Sequence, residues 1–145
     1  MNLLETTLVI GIAGVLVTAG YSKVQGHRLS AEADRDLALV RELALEYRRT
    51  HCRSALSMTQ RPLRQLGTVP PVADPAAWSV SFRAIGATLH YTAADRSRTS
   101  RIFQQALVRA GGTLEGTTVT LTVTDVPLRH RGREEFPRIV SGREC

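Results

Sequence analysis

Residues 6–22 read TTLVIGIAGVLVTAGYS, a run of 17 residues without a charged side chain, bracketed by Glu5 and Lys23. At about 1.5 Å per residue it makes a helix about 26 Å long, near the lower limit for crossing the hydrocarbon of a bilayer. Met1-Asn2-Leu3-Leu4 extends the apolar character on the other side, which leaves Glu5 inside it. A carboxylate in apolar surroundings costs about 3 kcal/mol or more unless it is paired, so a residue of this kind commonly has a functional partner.

The helical pattern continues past Lys23. Leu29, Ala33, Leu37, Val40, Ala44, Tyr47 and His51 fall on one stripe by steps of three and four, and Leu39 and Leu43 widen it. Glu32 with Arg35 and Glu46 with Arg49 are spaced to pair weakly on the remaining surface. No proline occurs before Pro62. The spacing predicts one helix from residue 1 to about 52, about 78 Å long. Residues 1–25 form its apolar half and 26–52 its amphipathic half. A coiled-coil stalk is the competing account of the second half, against which no strict heptad is present.

A cleaved signal peptide is a poor account of the first half. Its leading region is basic, whereas Glu5 is the first charged side chain here, and no break follows the apolar run. An ordinary membrane anchor explains the hydrophobicity but leaves Glu5 without a role. Lys23, His27 and Arg28 orient such an anchor with its C-terminal side in the cytoplasm, and a basic leader ahead of Met1 would reverse that.

At 145 residues the chain is about one domain long. Its net charge of +6 lies entirely beyond the helix: residues 1–52 carry six basic and six acidic side chains, residues 53–145 thirteen and seven. Lys23 is the sole lysine. A basic globular part attracts DNA, acidic polysaccharide or anionic lipid, and it also suits a plain solvated surface. The sharpest basic patch is Arg129, Arg131 and Arg133 in a tail of little apolar periodicity. Repeated along an assembly, it would bind DNA or acidic glycan with avidity.

Residues 53–77 read as a connecting loop, punctuated by Pro62, Gly67, Pro70, Pro71 and Pro75, with a short helix near Leu63–Leu66. Residues 78–145 read as a small globular β-sheet domain with one helix and a C-terminal tail. Trp78, Val80 and Phe82 alternate with polar residues, as do Ala87, Leu89 and Tyr91, and Gly86 between them predicts a hairpin. A helix follows at about 97–110, ended by Gly111-Gly112. Val119, Leu121 and Val123 alternate with threonines in the clearest strand, and Thr113–Glu115 is placed to pair with it across Gly116. The expected fold class is α+β: a long N-terminal helix packed on a small antiparallel sheet.

Two cysteines, Cys52 and Cys145, suit one disulfide in an oxidising compartment, or two unpaired thiols. A bond between them would staple the tail to the helix end. Their spacing fits no metal or redox motif, and the four histidines are scattered. His51 beside Cys52 lacks further ligands at metal spacing. G-x-S-x-G, G-K-S/T and H-E-x-x-H are all missing, so neither enzymatic activity nor a cofactor or metal is expected.

The stretch Met1-Asn2-Leu3-Leu4-Glu5-Thr6-Thr7-Leu8-Val9-Ile10-Gly11-Ile12-Ala13-Gly14-Val15 resembles the start of a mature type IV pilin. It is closest to the type IVb group, which includes the toxin-coregulated pilin. The resemblance implies the type IV pilin fold and a homo-oligomeric helical filament. It implies a prepilin peptidase that removes a basic leader, methylation of Met1, and partners in the pilus assembly machinery. The subunit would reside in the inner membrane before assembly and on the cell surface afterwards. Glu5 corresponds to the acidic residue thought to neutralise the N-terminal amine of a neighbouring subunit. Two opposite charges in an apolar core relieve each other's desolvation. Gly11, Gly14 and Gly20 would let neighbouring helices approach or let the helix unwind locally. Pilins also close a C-terminal region with a disulfide, though Cys52 lies early for that pattern.

A secretion-system pseudopilin and a single-span inner-membrane protein with a periplasmic binding domain are the competing accounts. A membrane-anchored nucleic-acid-binding module is a third. Filament tasks from adhesion and twitching to DNA uptake and conjugation are all compatible with the sequence. The resemblance predicts that protein sheared from the cell surface has the mass of residues 1–145 plus one methyl group and minus two hydrogens. An unprocessed chain confined to the membrane fraction would contradict it.

Overall fold

The computed structural model describes residues 3–51, 59–83 and 86–124, with side chains from Ile10 onward except at 12, 13 and 16. Cys52, Cys145, Met1 and the tail carrying Arg129, Arg131 and Arg133 lie outside the described residues.

Helix α1 spans Leu3–Thr50, 48 residues, about 72 Å of continuous helix. A two-residue edge strand β1 (Arg61–Pro62) and a 3-10 turn (Leu63–Gln65) lie in the connector. A second 3-10 turn (Pro75–Ala77) leads into β2 (Trp78–Arg83), and β3 (Gly86–Thr92) follows. Helix α2 (Arg98–Arg109), β4 (Thr113–Glu115) and β5 (Thr118–Thr124) complete the order. The five strands form one antiparallel sheet in the order β1-β2-β3-β5-β4. The chain is therefore α+β, a long helix with a five-stranded antiparallel sheet.

Alternation decides which sheet face is covered. Trp78, Val80 and Phe82 on β2, Ala87, Leu89 and Tyr91 on β3, and Val119, Leu121 and Val123 on β5 are buried on one side. They meet Ala33, Val40 and Ala44 of α1 and Phe103, Ala106 and Leu107 of α2 in a single core. Leu37, Leu39, Leu43, Leu45 and Tyr47 pack at its margin. Aromatic rings bridge the layers. Tyr91 lies 5.2 Å from Trp78 and 4.8 Å from Phe103, and Tyr47 lies 5.4 Å from Phe82, centroid to centroid. Burial, with the carboxylates of Asp74, Asp95 and Asp36 nearby, pushes the Tyr91 phenol above its ordinary value.

Local chemistry fixes the ends of α2. Ser97 caps its start by accepting from the Ser100 N–H (3.2 Å). Asp95 accepts from the Ser97 N–H (3.1 Å) and the Ser100 hydroxyl (2.5 Å). These hydrogen bonds, the Ser100 hydroxyl first, hold its carboxyl below the usual range. At the other end Gly111 has φ +103°, a conformation that closes the helix and favours glycine.

The helix stripe holds one residue the pattern did not anticipate. Asp36 lies between Ala33 and Val40 and is 1% exposed. Its Oδ2 accepts from the Ala73 N–H at 2.9 Å, and Arg35 donates to the Pro71 carbonyl at 3.4 Å. These contacts tie the proline-rich connector to α1. His51, expected on the stripe, is exposed and stacks on Tyr47 at 4.4 Å. It sits one residue beyond the last helical turn, where the sheet no longer covers the stripe.

Asp36→Ala should destabilise by about 1–3 kcal/mol, because the hydrogen bond between the buried Asp36 carboxylate and the Ala73 N–H is lost. Asp36→Asn, whose amide oxygen still accepts, should lose less, and Leu107→Ala, which empties a fully buried site, about 2–5 kcal/mol. Denaturant unfolding checks the order. Equal losses for the two Asp36 variants would contradict the role assigned to its oxygen.

Candidate functional site

The amphipathic half of α1 is covered by its own domain, and the described part of the apolar half is bare. Ile10, Val15, Val17, Tyr21 and Val24 are exposed by 66–71%. Ile10, Val17, Tyr21 and Val24 recur at helical spacing along one side, with Gly14 between them. Each such aliphatic side chain stands to gain about 1.5–3 kcal/mol on full burial. A contiguous apolar surface of this kind marks a membrane or protein contact.

Two polar side chains of the described part bond within the helix. The Thr18 hydroxyl donates back to the carbonyls of Gly14 (2.9 Å) and Val15 (3.0 Å). The Gln25 amide donates to the Tyr21 hydroxyl at 3.3 Å. A helix segment with internally satisfied polar groups can enter an apolar medium without orphaning them. Among the described residues, however, no helix is long and apolar enough to cross a membrane. Seven of the 17 positions in the run at 6–22 (6–9, 12, 13 and 16) have side chains outside the described set.

Glu5 lies in the first described turn of α1, at the far end of the bare surface from the sheet. A helix N-terminus carries partial positive charge and favours a carboxylate there. Gly11, Gly14 and Gly20 all lie on α1, and a Cβ built at any of them meets no atom within 4 Å. Among the described residues no contact requires glycine at these positions. At about 100° per residue Gly11 and Gly14 lie about 60° apart and Gly20 about opposite Gly11. Gly11 and Gly14 therefore share one side of the helix and Gly20 lies on the other. Met1, the Cys52–Cys145 pair and the Arg129, Arg131, Arg133 patch fall outside the described residues.

The sheet's other face is rich in hydroxyls: Ser79 and Ser81 on β2, Thr88 and Thr92 on β3, Thr118, Thr120 and Thr122 on β5. His90 stands among them, its Nε2 3.0 Å from the Ser81 hydroxyl and its Nδ1 3.4 Å from Thr120. Burial first, then the Arg83 guanidinium, holds the imidazole below its ordinary value of 6.5. A nucleophile–base pair needs a group that stabilises the imidazolium, and the charge that bears on His90 disfavours it. No group of three or more His, Cys, Asp or Glu that could hold a metal occurs among the described residues. Sequence reasoning also passed over Arg98 and Arg109. Arg98 donates to the Ser22 hydroxyl, and Arg109 to the Ser30 hydroxyl at 3.0 Å. A pair of arginines spaced along a helix gave no signal until α2 was known to lie beside α1.

The sign of the His90 shift sets a pH dependence. In the fold the ring stays neutral where the unfolded chain binds a proton. The stability it contributes is complete above pH 6.5 and falls as the pH drops through that value towards the lower folded one. Thermal unfolding from about pH 8 to about pH 5 should therefore show a smaller decline in His90→Asn than in the parent protein. Identical declines would contradict it.

Compared with known protein families, curated proteins and solved structures, the chain gives no match.

Proposed function

We propose that the chain is a structural subunit, a major or minor pilin, of an extracellular type IV pilus. The observation that carries this reading is the division of one 48-residue helix into a half packed on a small antiparallel sheet and a bare apolar half with Glu5 at its end. A filament explains both. Neighbouring subunits bury the apolar half, and each Glu5 meets a cationic N-terminal amine of another subunit. In that low-dielectric core the pair is strongly attractive, and it removes the cost of isolating either charge. Glycines on two sides of the helix suit a core in which each helix touches several others. Before assembly the same half resides in the inner membrane.

The type IV pilin fold is part of this proposal. It is supported by the order of elements: one long helix, then a sheet that lies on the helix's distal half. A secretion pseudopilin shares this logic and differs in which machinery takes it up. A single-span membrane protein with a periplasmic binding domain uses the helix only as an anchor and has no need of Glu5.

Glu5→Ala separates the pilin reading from the single-span anchor. For a pilin, surface filaments measured by shearing and immunoblot should fall at least tenfold while the protein in the membrane fraction stays at the parental level. A ΔΔG of only about 1.4 kcal/mol per subunit contact already gives tenfold. Unchanged filaments, or a protein that never leaves the membrane in either form, would overturn the reading.

A further inference from the structure

Where the apolar half of α1 ends, α2 lies alongside it and the two helices enclose a cleft of about 390 Å³ between Ala19 and Ser30. Lys23 and His27 line it from α1, Arg98 and Arg109 from α2, and Ile102 supplies an apolar wall. No acidic residue lines it. The surrounding sequence has none either: residues 6–31 contain Lys23 and Arg28 but no carboxylate, and residues 96–114 contain Arg96, Arg98, Arg101 and Arg109 but no carboxylate. Nearby Asp95 is engaged by Ser97 and Ser100 at the α2 cap. The positive charge of the cleft is thus uncompensated among the described residues.

The two arginines are also positioned. Each is held by a serine of α1, Arg98 by Ser22 and Arg109 by Ser30. A guanidinium has five N–H donors, so one bond to a hydroxyl leaves most of the fork for a second acceptor. The two forks are anchored about 12 Å apart along α1, at Ser22 and Ser30. The Arg98 fork and the Lys23 ammonium share the Ser22 end of the cleft, and that pair matches the oxygens of one phosphate. The height of the cleft identifies the source. The uncharged run ends at Ser22, and Lys23 is the first cation after it. With that run in hydrocarbon, the cleft lies in the headgroup layer.

We propose that this cleft binds the headgroup phosphate of an anionic phospholipid and thereby seats the globular domain on the membrane before assembly. The proposal rests on the membrane-resident stage of the pilin reading, and it adds a ligand class that the reading does not require. Ile102 accommodates the glycerol backbone side of the lipid, and the cations select against a zwitterionic headgroup, whose own ammonium they repel.

The full chain in neutral-detergent micelles should be titrated with short-chain phosphatidylglycerol, short-chain phosphatidylcholine and inorganic phosphate, while the amide and arginine Nε–H resonances are followed by NMR. Saturable shifts centred on residues 22–30 and 98–109 are expected with phosphatidylglycerol, at least tenfold tighter than with either other probe. Lys23→Gln, at an exposed side chain that makes no hydrogen bond among the described residues, should weaken binding about fivefold. Arg98→Gln, at the same end of the cleft, should weaken it at least as much. Equal affinity for the two lipids would overturn the proposal, as would unaltered binding in these variants. Phosphate binding as tightly as phosphatidylglycerol would identify a soluble-anion site instead. Loss of binding in Arg129→Gln/Arg131→Gln/Arg133→Gln would move the site to the tail. None of these readouts involves filaments. A chain that polymerises in a Glu5-dependent way yet shows no lipid selectivity would sink this inference alone, and the converse result would sink only the pilin reading.

Discussion

A helix of 48 residues is about 72 Å long, and a domain of the size that follows it is roughly 30 Å across. The domain can cover only part of the helix, and the rest of the molecule follows from that mismatch. Coverage is complete where α1 offers Ala33, Asp36, Val40 and Ala44, all at 1% exposure or less. It thins to partial burial at Ser22, Gly26 and Leu29 and is gone at Val17 and Ile10. The small residues Ala33 and Ala44 let the helix approach the sheet, while the bulk of the core comes from Trp78, Phe82, Leu89 and Leu107 on the other side. An uncovered apolar half is not stable in water as a lone surface. The proposed filament, and the membrane before it, would supply a second medium around that half.

Much of this was legible because period and punctuation agreed. The threonine-spaced strand at 118–124, the pairing of Thr113–Glu115 across Gly116, the β2–β3 hairpin and the helix ended by Gly111-Gly112 all appear where alternation and turn residues placed them. Strands half-buried on one face announce themselves by alternation, and glycine at a positive φ announces a stop. The hairpin was less exact. Gly86 opens β3 instead of sitting in the turn, because a Cβ there would come within 2.0 Å of the Val123 carbonyl oxygen.

What the sequence concealed was long-range polar chemistry. Asp36 is a carboxyl on an apolar stripe, and its partner is a backbone N–H 37 residues away in a proline-rich stretch. Nothing in local spacing connects the two. The edge strand Arg61–Pro62 is equally silent, since proline is tolerated in strands only where no ladder donor is needed, and two residues give no alternation to detect. The candidate assembly site was the reverse case. Glu5, the glycines and the uncharged run carry their meaning in one dimension, because a straight helix preserves sequence order in space. The cleft at Lys23 and Arg109 needed the fold, because its three cations, Lys23, Arg98 and Arg109, come from two segments about 75 residues apart.

The pairing of α2 with α1 also braces the junction between the two helix halves. Arg98 reaches Ser22 and Arg109 reaches Ser30, so α2 runs in the same direction as α1. The arginines are about 16 Å apart along α2 and the serines about 12 Å apart along α1, a difference that long side chains leaning inward take up. This brace crosses Gly26, a residue with weak helix propensity where the sheet no longer supports α1. Apolar packing cannot do the same work here, because the residues that α1 offers at 22, 26 and 30 are serine, glycine and serine. Charged hydrogen bonds from α2 replace it, and they concentrate cations where the uncharged helix begins. Arg98 and Arg109 thus hold α2 to the long helix and, with Lys23, give that boundary its charge.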